Sequence, residues 1–160
     1  MIILGIDPGT ATTGFGVIEK NKKGTWTALE FGVITTDKGL HDAERLHVLA
    51  HDLEEIIKKY KPAAAGVEKL YFETNVKTAI TVAQARGTIL LTLAQHSVPI
   101  YEFTPLQVKS TLTGYGSADK KQMQFMIKHT FGLQTTPKPD DAADALAIAL
   151  CCANSIRRPR

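Results

Sequence analysis

The sequence predicts a layered α/β domain, a five-stranded mixed sheet flanked by helices. Three observations carry that expectation. Three strand-like runs stand close together at the start with only short turns between them, which implies an antiparallel meander. Helical periodicities then alternate with short apolar strands, so later strands join the same sheet through crossovers. The 160 residues are 44% apolar and 22% charged, enough for one sizeable core. No repeat or Pro/Ser-rich linker interrupts them, so one domain over residues 1–156 with a short basic tail, 157–160, is expected.

Taken in order, residues 2–7, 14–20 and 25–35 are the opening strands, rich in Ile, Val, Phe, Trp and Thr. DPGTATTG and Asn21–Gly24 turn between them. Leu46, Leu49, Leu53, Ile56, Ile57 and Tyr60 mark a helix over 41–60 that Pro62 ends. Residues 63–68 are a short buried strand. A long helix over 76–96 is built on Val76, Ile80, Val82, Ala83 and Leu90, and 98–103 is a fifth strand. Pro105 opens a short helix through Leu112. GYGS (114–117) is a loop whose Ser117 is a natural N-cap for a helix to Thr130, and 140–153 is a strongly apolar helix.

The net charge is +3, and the chain ends on Arg157, Arg158 and Arg160, a mild basic balance that admits nucleic acid without demanding it. Cys151 and Cys152 are adjacent in an apolar helix, poorly placed to bridge each other, and read as reduced, buried thiols. The run MIILGI is too short for a signal sequence, and no stretch approaches the ~20 apolar residues of a membrane helix. A cytoplasmic protein with no membrane partner is expected.

Four acids interrupt otherwise apolar elements. Asp7 ends the first strand in LGIDPGT, and Glu68 ends the fourth in VEKLYF. Asp141 and Asp144 stand three apart in PDDAADALAIAL, on one face of the last helix. Singly, each has a structural explanation: Asp7 as a turn former, Asp141 complementing a helix dipole, Glu68 solvated at a strand exit. Together they form a set of like charges that repel and shift one another's titration unless cations neutralise them. All-oxygen ligands without Cys or His favour a hard ion, Mg²⁺ or Mn²⁺. Two such ions roughly 3.5–4 Å apart would clamp an in-line phosphoryl displacement.

Basic and aromatic residues surround these acids in sequence. Lys69, Tyr71 and Phe72 follow Glu68; Lys109 precedes the GYGS loop, and Lys120 and Lys121 follow it. Such lysines suit a phosphate backbone, and an exposed aromatic suits an unpaired or wedged base. His47 and His51 have a zinc-helix spacing, but Val48 replaces the needed Glu, and both lie on the polar side of their helix.

LGIDPGTATTGFGVI, VEKLYFETNVKTAITVAQARG, QVKSTLTGYGSADK and PDDAADALAIA, in this order and spacing, closely resemble the RuvC family of Holliday-junction resolvases over nearly the whole chain. The resemblance implies an RNase H-like fold and a homodimer joined through the helix 76–96. It implies cutting of four-way DNA junctions by paired nicks with Mg²⁺, two ions per site, Mn²⁺ being a substitute. It places the catalytic, metal-holding acids at Asp7, Glu68, Asp141 and Asp144, with Asp140 a neighbour outside the ligand set. It gives Lys120 a catalytic and DNA-binding role, Lys109 a similar one, and Tyr71 contact with the junction core. A branch-migration helicase complex is the implied partner.

Two other readings compete. GIDPGT would serve as the phosphate loop of an actin-like or sugar-kinase-like ATPase, but the only other D-x-G, Asp37-Lys-Gly39, lacks the following Thr/Gly turn. An RNase H-like nuclease for another nucleic acid would share the acids; Tyr71 and the helix 76–96 favour junctions.

Overall fold

Strand β1 (Ile2–Asp7) lies at the centre of the sheet, in the order β3-β2-β1-β4-β5. The computed structural model describes residues 1–9, 11–70 and 76–156. β2 (Thr12–Lys20) and β3 (Trp26–Thr35) form the antiparallel meander with β1. β4 (Ala64–Glu68) and β5 (Ile100–Phe103) add to the other side of β1 in parallel. Between and after them run α1 (Asp42–Tyr60), α2 (Val76–Gln95), α3 (Pro105–Thr113), α4 (Lys120–Thr130) and α5 (Asp140–Ile156). Among the described residues this is the expected order of five strands and five helices. No helix among the described residues is long and apolar enough to cross a membrane.

Period-2 alternation divides the core. Leu4 and Ile6 of β1, with Ala65 and Val67 of β4, face α1 and α2 and meet Leu49, Leu53, Ile89 and Leu93. Ile3 of β1 and Ala64 of β4 face the other way, toward α3, α4 and α5, and meet Val108, Met123, Leu146 and Ile148. Ile3, Leu4 and Ile6 are completely buried, each contributing about 1.5–3 kcal/mol of transfer free energy. Asp7 and Glu68 continue the Ile3/Ala64 alternation, so both strands aim their terminal carboxylates at the α5 side.

α5 is apolar all round because it is enclosed by the sheet and by α3 and α4. It lies unusually close to the sheet. A Cβ on Gly5 would stand 2.0 Å from the Ala145 carbonyl oxygen, and one on Gly14 only 2.1 Å from that of Asp141. Helix backbone therefore rests on strand backbone, with Ala142, Ala145 and Ala149 filling the remaining space. Cys151 and Cys152 are free and buried in this layer, and burial pushes the Cys152 thiol up to about 12.

Two local expectations are corrected. α4 is capped by Asp119, not Ser117: the Asp119 carboxylate accepts from Gln122 N–H at 2.8 Å, and the Gln122 side chain accepts from Asp119 N–H at 2.9 Å. The reciprocal pair satisfies two backbone donors, which a serine two residues earlier could not match. On α2 the core-facing residues are Ala85, Ile89 and Leu93, whereas Ile80 and Leu91 are 58% and 59% exposed. Ile80, Ala83, Gly87 and Leu91 follow one helical stripe facing away from the sheet, and a Cβ on Gly87 would meet nothing within 4 Å. His47 and His51 are exposed, as their polar face predicted.

Candidate active site

The site is assembled where β1 and β4 end. Ile6 pairs with Val67 in the parallel ladder, so Asp7 and Glu68 are next-door neighbours one step further on, about 4.8 Å apart at the strand level. On the other side Asp7 pairs with Gly14 of β2. Gly14 lies directly beneath the Asp141 backbone, which seats the first turn of α5 over this corner of the sheet. Asp141 and, one turn on, Asp144 are thereby delivered to the two strand-borne acids. A bulkier residue at 14 would lift that turn away.

The electrostatics register the convergence. Asp7 is pushed from 3.8 to about 8, first by burial, then by Glu68, Asp144 and Asp141, with Lys120 opposing. Glu68 is pushed from 4.5 to about 7 by burial and by Asp144, with Lys109 opposing. Burial also raises Asp144, against the pull of Lys120. All four acids thus share one field. Among the described residues, however, no three His, Cys, Asp or Glu side chains close into a ready ligand cage. The all-carboxylate donor set fits Mg²⁺, which keeps several waters and binds through few carboxylates plus substrate phosphate.

The lysines differ in placement. Lys120 Nζ pairs with Asp140 at 2.6 Å while its charge reaches Asp7, Asp141 and Asp144. Lys109, on α3, bears on Glu68 and Asp144. Lys69 and Lys121 are exposed, flanking Glu68 and Lys120 in the chain. Tyr71, Phe72 and the tail 157–160 lie outside the described residues.

Two sets of contacts around the site escaped sequence reading. Asp140 holds Lys120 and also accepts from Gln124 Nε2 at 2.7 Å. Arg86 Nε donates to the Glu68 carbonyl at 3.1 Å, and its Nη2 pairs with Glu102. Asp140 and Gln124 are separated by 16 residues and Arg86 and Glu68 by 18, so no local pattern announces either pairing.

Comparison with known proteins gives the family. The family model described as crossover junction endodeoxyribonuclease RuvC matches residues 3–152. The RuvC of Roseiflexus sp. (strain RS-1) is 54% identical over 148 residues, covering 92% of this chain and 88% of that protein. The Thermus thermophilus RuvC structure superposes with a TM-score of 0.90 at 34% identity, covering 98% of this chain and 96% of that one. The same protein in complex with a Holliday junction substrate gives 0.89 at 30% identity and the same coverage. The sheet order, the four acids at its corner and these matches lead to one conclusion: this chain belongs to the RuvC family of crossover junction endodeoxyribonucleases, with their RNase H-like fold.

Proposed function

We infer that this protein is a structure-selective endonuclease that resolves four-way DNA junctions by paired nicks in strands of like polarity, leaving 5′-phosphate and 3′-hydroxyl ends. The observation that carries the reading is the meeting of Asp7 and Glu68, on adjacent parallel strand ends, with Asp141 and Asp144 on the first turns of α5. Asp7, Glu68, Asp141 and Asp144 would hold two Mg²⁺ ions, or Mn²⁺ in their place, with Asp7 the most central. Bound there, the ions would supply an activated water and charge neutralisation at the leaving oxygen.

The protein's own groups do the remaining work. Lys120 sets a fixed cation beside the acids and opposes charge that builds on the scissile phosphate. Lys109 does the same from the Glu68 side. Lys69 and Lys121 extend the basic track along the DNA backbone, and Tyr71 with Phe72 engages the junction core. The exposed stripe Ile80, Ala83, Gly87 and Leu91 on α2 supports a homodimer through this helix. A dyad there would set two sites against a two-fold substrate. A branch-migration helicase complex is the partner that family membership favours.

The test is cleavage of a synthetic four-way junction against linear duplex, RNA–DNA hybrid and flap substrates, with and without Mg²⁺. Paired, symmetric nicks in the junction alone, abolished by EDTA, are expected. Equal cutting of hybrid or flap would redirect the reading to another nucleic acid.

A further inference from the structure

Arg86 belongs to α2, away from the four acids in sequence, yet its guanidinium ties together the strand end that carries Glu68. Nε donates to the Glu68 main-chain carbonyl at 3.1 Å, and Nη2 reaches the carboxylate of Glu102 on β5. The side chain is only 18% exposed. Its neighbour Ala85 is 1% exposed in the core, so the arginine leaves a fixed helix surface rather than a loose one.

The location of this brace matters. Lys69 N–H donates to the Phe103 carbonyl at 2.8 Å at the point where the β4–β5 ladder ends. Glu68 is the last residue of β4, and beyond it the strand no longer fixes its direction. A carboxylate at a strand end is only as well placed as the peptide that bears it. Arg86 holds that peptide from the helix side, and Glu102 holds the planar fork of Arg86 in turn. The cation that acts directly on the Glu68 carboxylate is Lys109, on α3, so the arginine works through the main chain.

We propose that Arg86 is a positioning residue of the active site, fixing through the Glu68 carbonyl the orientation in which the Glu68 carboxylate meets a divalent cation. The proposal rests on the function inferred above. It also gives α2 two roles: its outer stripe, beginning again at Gly87, is the proposed dimer face, and its inner side braces Glu68. Lysine at 86 keeps the charge but reaches only one of the two acceptors. Glutamine loses the fork and the ion pair.

The experiment compares the wild type with Arg86→Gln, Arg86→Lys and Glu102→Gln. Mn²⁺ binding to the DNA-free protein is followed by electron paramagnetic resonance, and the Mg²⁺ dependence of single-turnover junction cleavage is followed alongside. Junction affinity is measured in Ca²⁺, and the oligomeric state by sedimentation. For Arg86→Gln, Mn²⁺ affinity and cleavage rate should each fall by about 10–100-fold, as for loss of an outer partner of a metal ligand, with junction affinity essentially unchanged. Arg86→Lys should recover part of the loss, and Glu102→Gln should fall between. Unchanged Mn²⁺ affinity in Arg86→Gln overturns the proposal even if stability drops, because the residue is then structural only. If that variant does not fold, wild-type Mn²⁺ affinity in both Arg86→Lys and Glu102→Gln overturns it equally. Wild-type protein that binds Mn²⁺ but leaves junctions intact would refute the inferred function instead, while the Mn²⁺ comparison still decides the role of Arg86.

Discussion

Lys120 Nζ stands 2.6 Å from a carboxylate oxygen of Asp140, the residue immediately before Asp141 on α5. The pair joins the first turn of α4 to the first turn of α5, and Gln124 buttresses it from one turn further along α4. Both partners are largely exposed, 60% and 49% by side chain, so the contact adds little to stability. Its effect is to keep an ammonium charge near enough to act on Asp7, Asp141 and Asp144.

Asp140→Ala should therefore leave thermal unfolding nearly unchanged yet slow junction cleavage by roughly ten-fold, the lower end for an outer-shell partner. In a Lys120→Ala background the same change should cost nothing more, because Asp140 acts through Lys120. Additive losses in this double-mutant cycle would mean that Asp140 has its own part in the site.

Asp7→Asn should lower cleavage on the order of 10²–10³-fold or more while preserving junction binding, as expected for removal of a central charged group. It should also raise the melting temperature of the metal-free protein. Asp7 is ionised in the site only against burial and three neighbouring acids, and a neutral amide relieves that opposition. Calorimetry in EDTA at alkaline pH reads the effect, and a lower melting temperature would contradict it.

The same shifts set a pH dependence. Asp7 and Glu68 titrate at about 8 and about 7 in the folded chain, above their ordinary 3.8 and 4.5. Between those limits the folded state binds more protons than the unfolded one, so metal-free stability falls as pH rises. The loss is absent below the ordinary carboxylate range, grows through neutrality and is complete above about pH 8 for Asp7. Divalent cations bound by the ionised acids would offset the loss. The rise in melting temperature on adding Mg²⁺ should thus be larger at alkaline than at mildly acidic pH, and an increment independent of pH would count against a shared cation site.

Gly14→Ala and Gly87→Ala make an informative contrast. At 14 the new methyl would stand 2.1 Å from the Asp141 carbonyl oxygen, forcing α5 off the sheet. A loss of about 1–3 kcal/mol and of nearly all cleavage is expected. At 87 nothing lies within 4 Å, and alanine improves helix propensity by about 1 kcal/mol. Any weakening of self-association by Gly87→Ala in sedimentation, without loss of monomer stability, would locate a close helix contact there. Leu91→Glu should disrupt the same face more strongly.

Much of this protein is legible in one dimension. Turn residues, helical stripes and apolar strand runs follow from local sterics and from the 2.0 and 3.6 periodicities, and they mark the ten elements of the described residues. The four acids stand out because each breaks an apolar element, whereas the register of β1 on β4 is what turns Asp7 and Glu68 to one face of the sheet. Other features depend on contacts between distant segments. The exposed stripe of α2 carries the same apolar residue types as a buried one, so only packing distinguishes Ile80 from Ile89. Asp119 caps α4 because its carboxylate and Gln122 meet in a particular backbone geometry. Arg86 and Asp140 have no sequence signature, since hydrogen-bond partners 16–18 residues away are selected by the fold. By itself, the sequence determined the elements, the identity of the acids and the family. Tertiary structure decided their distance, because only a glycine seam under α5 lets a helix backbone approach the strands closely enough to make four separate carboxylates one site.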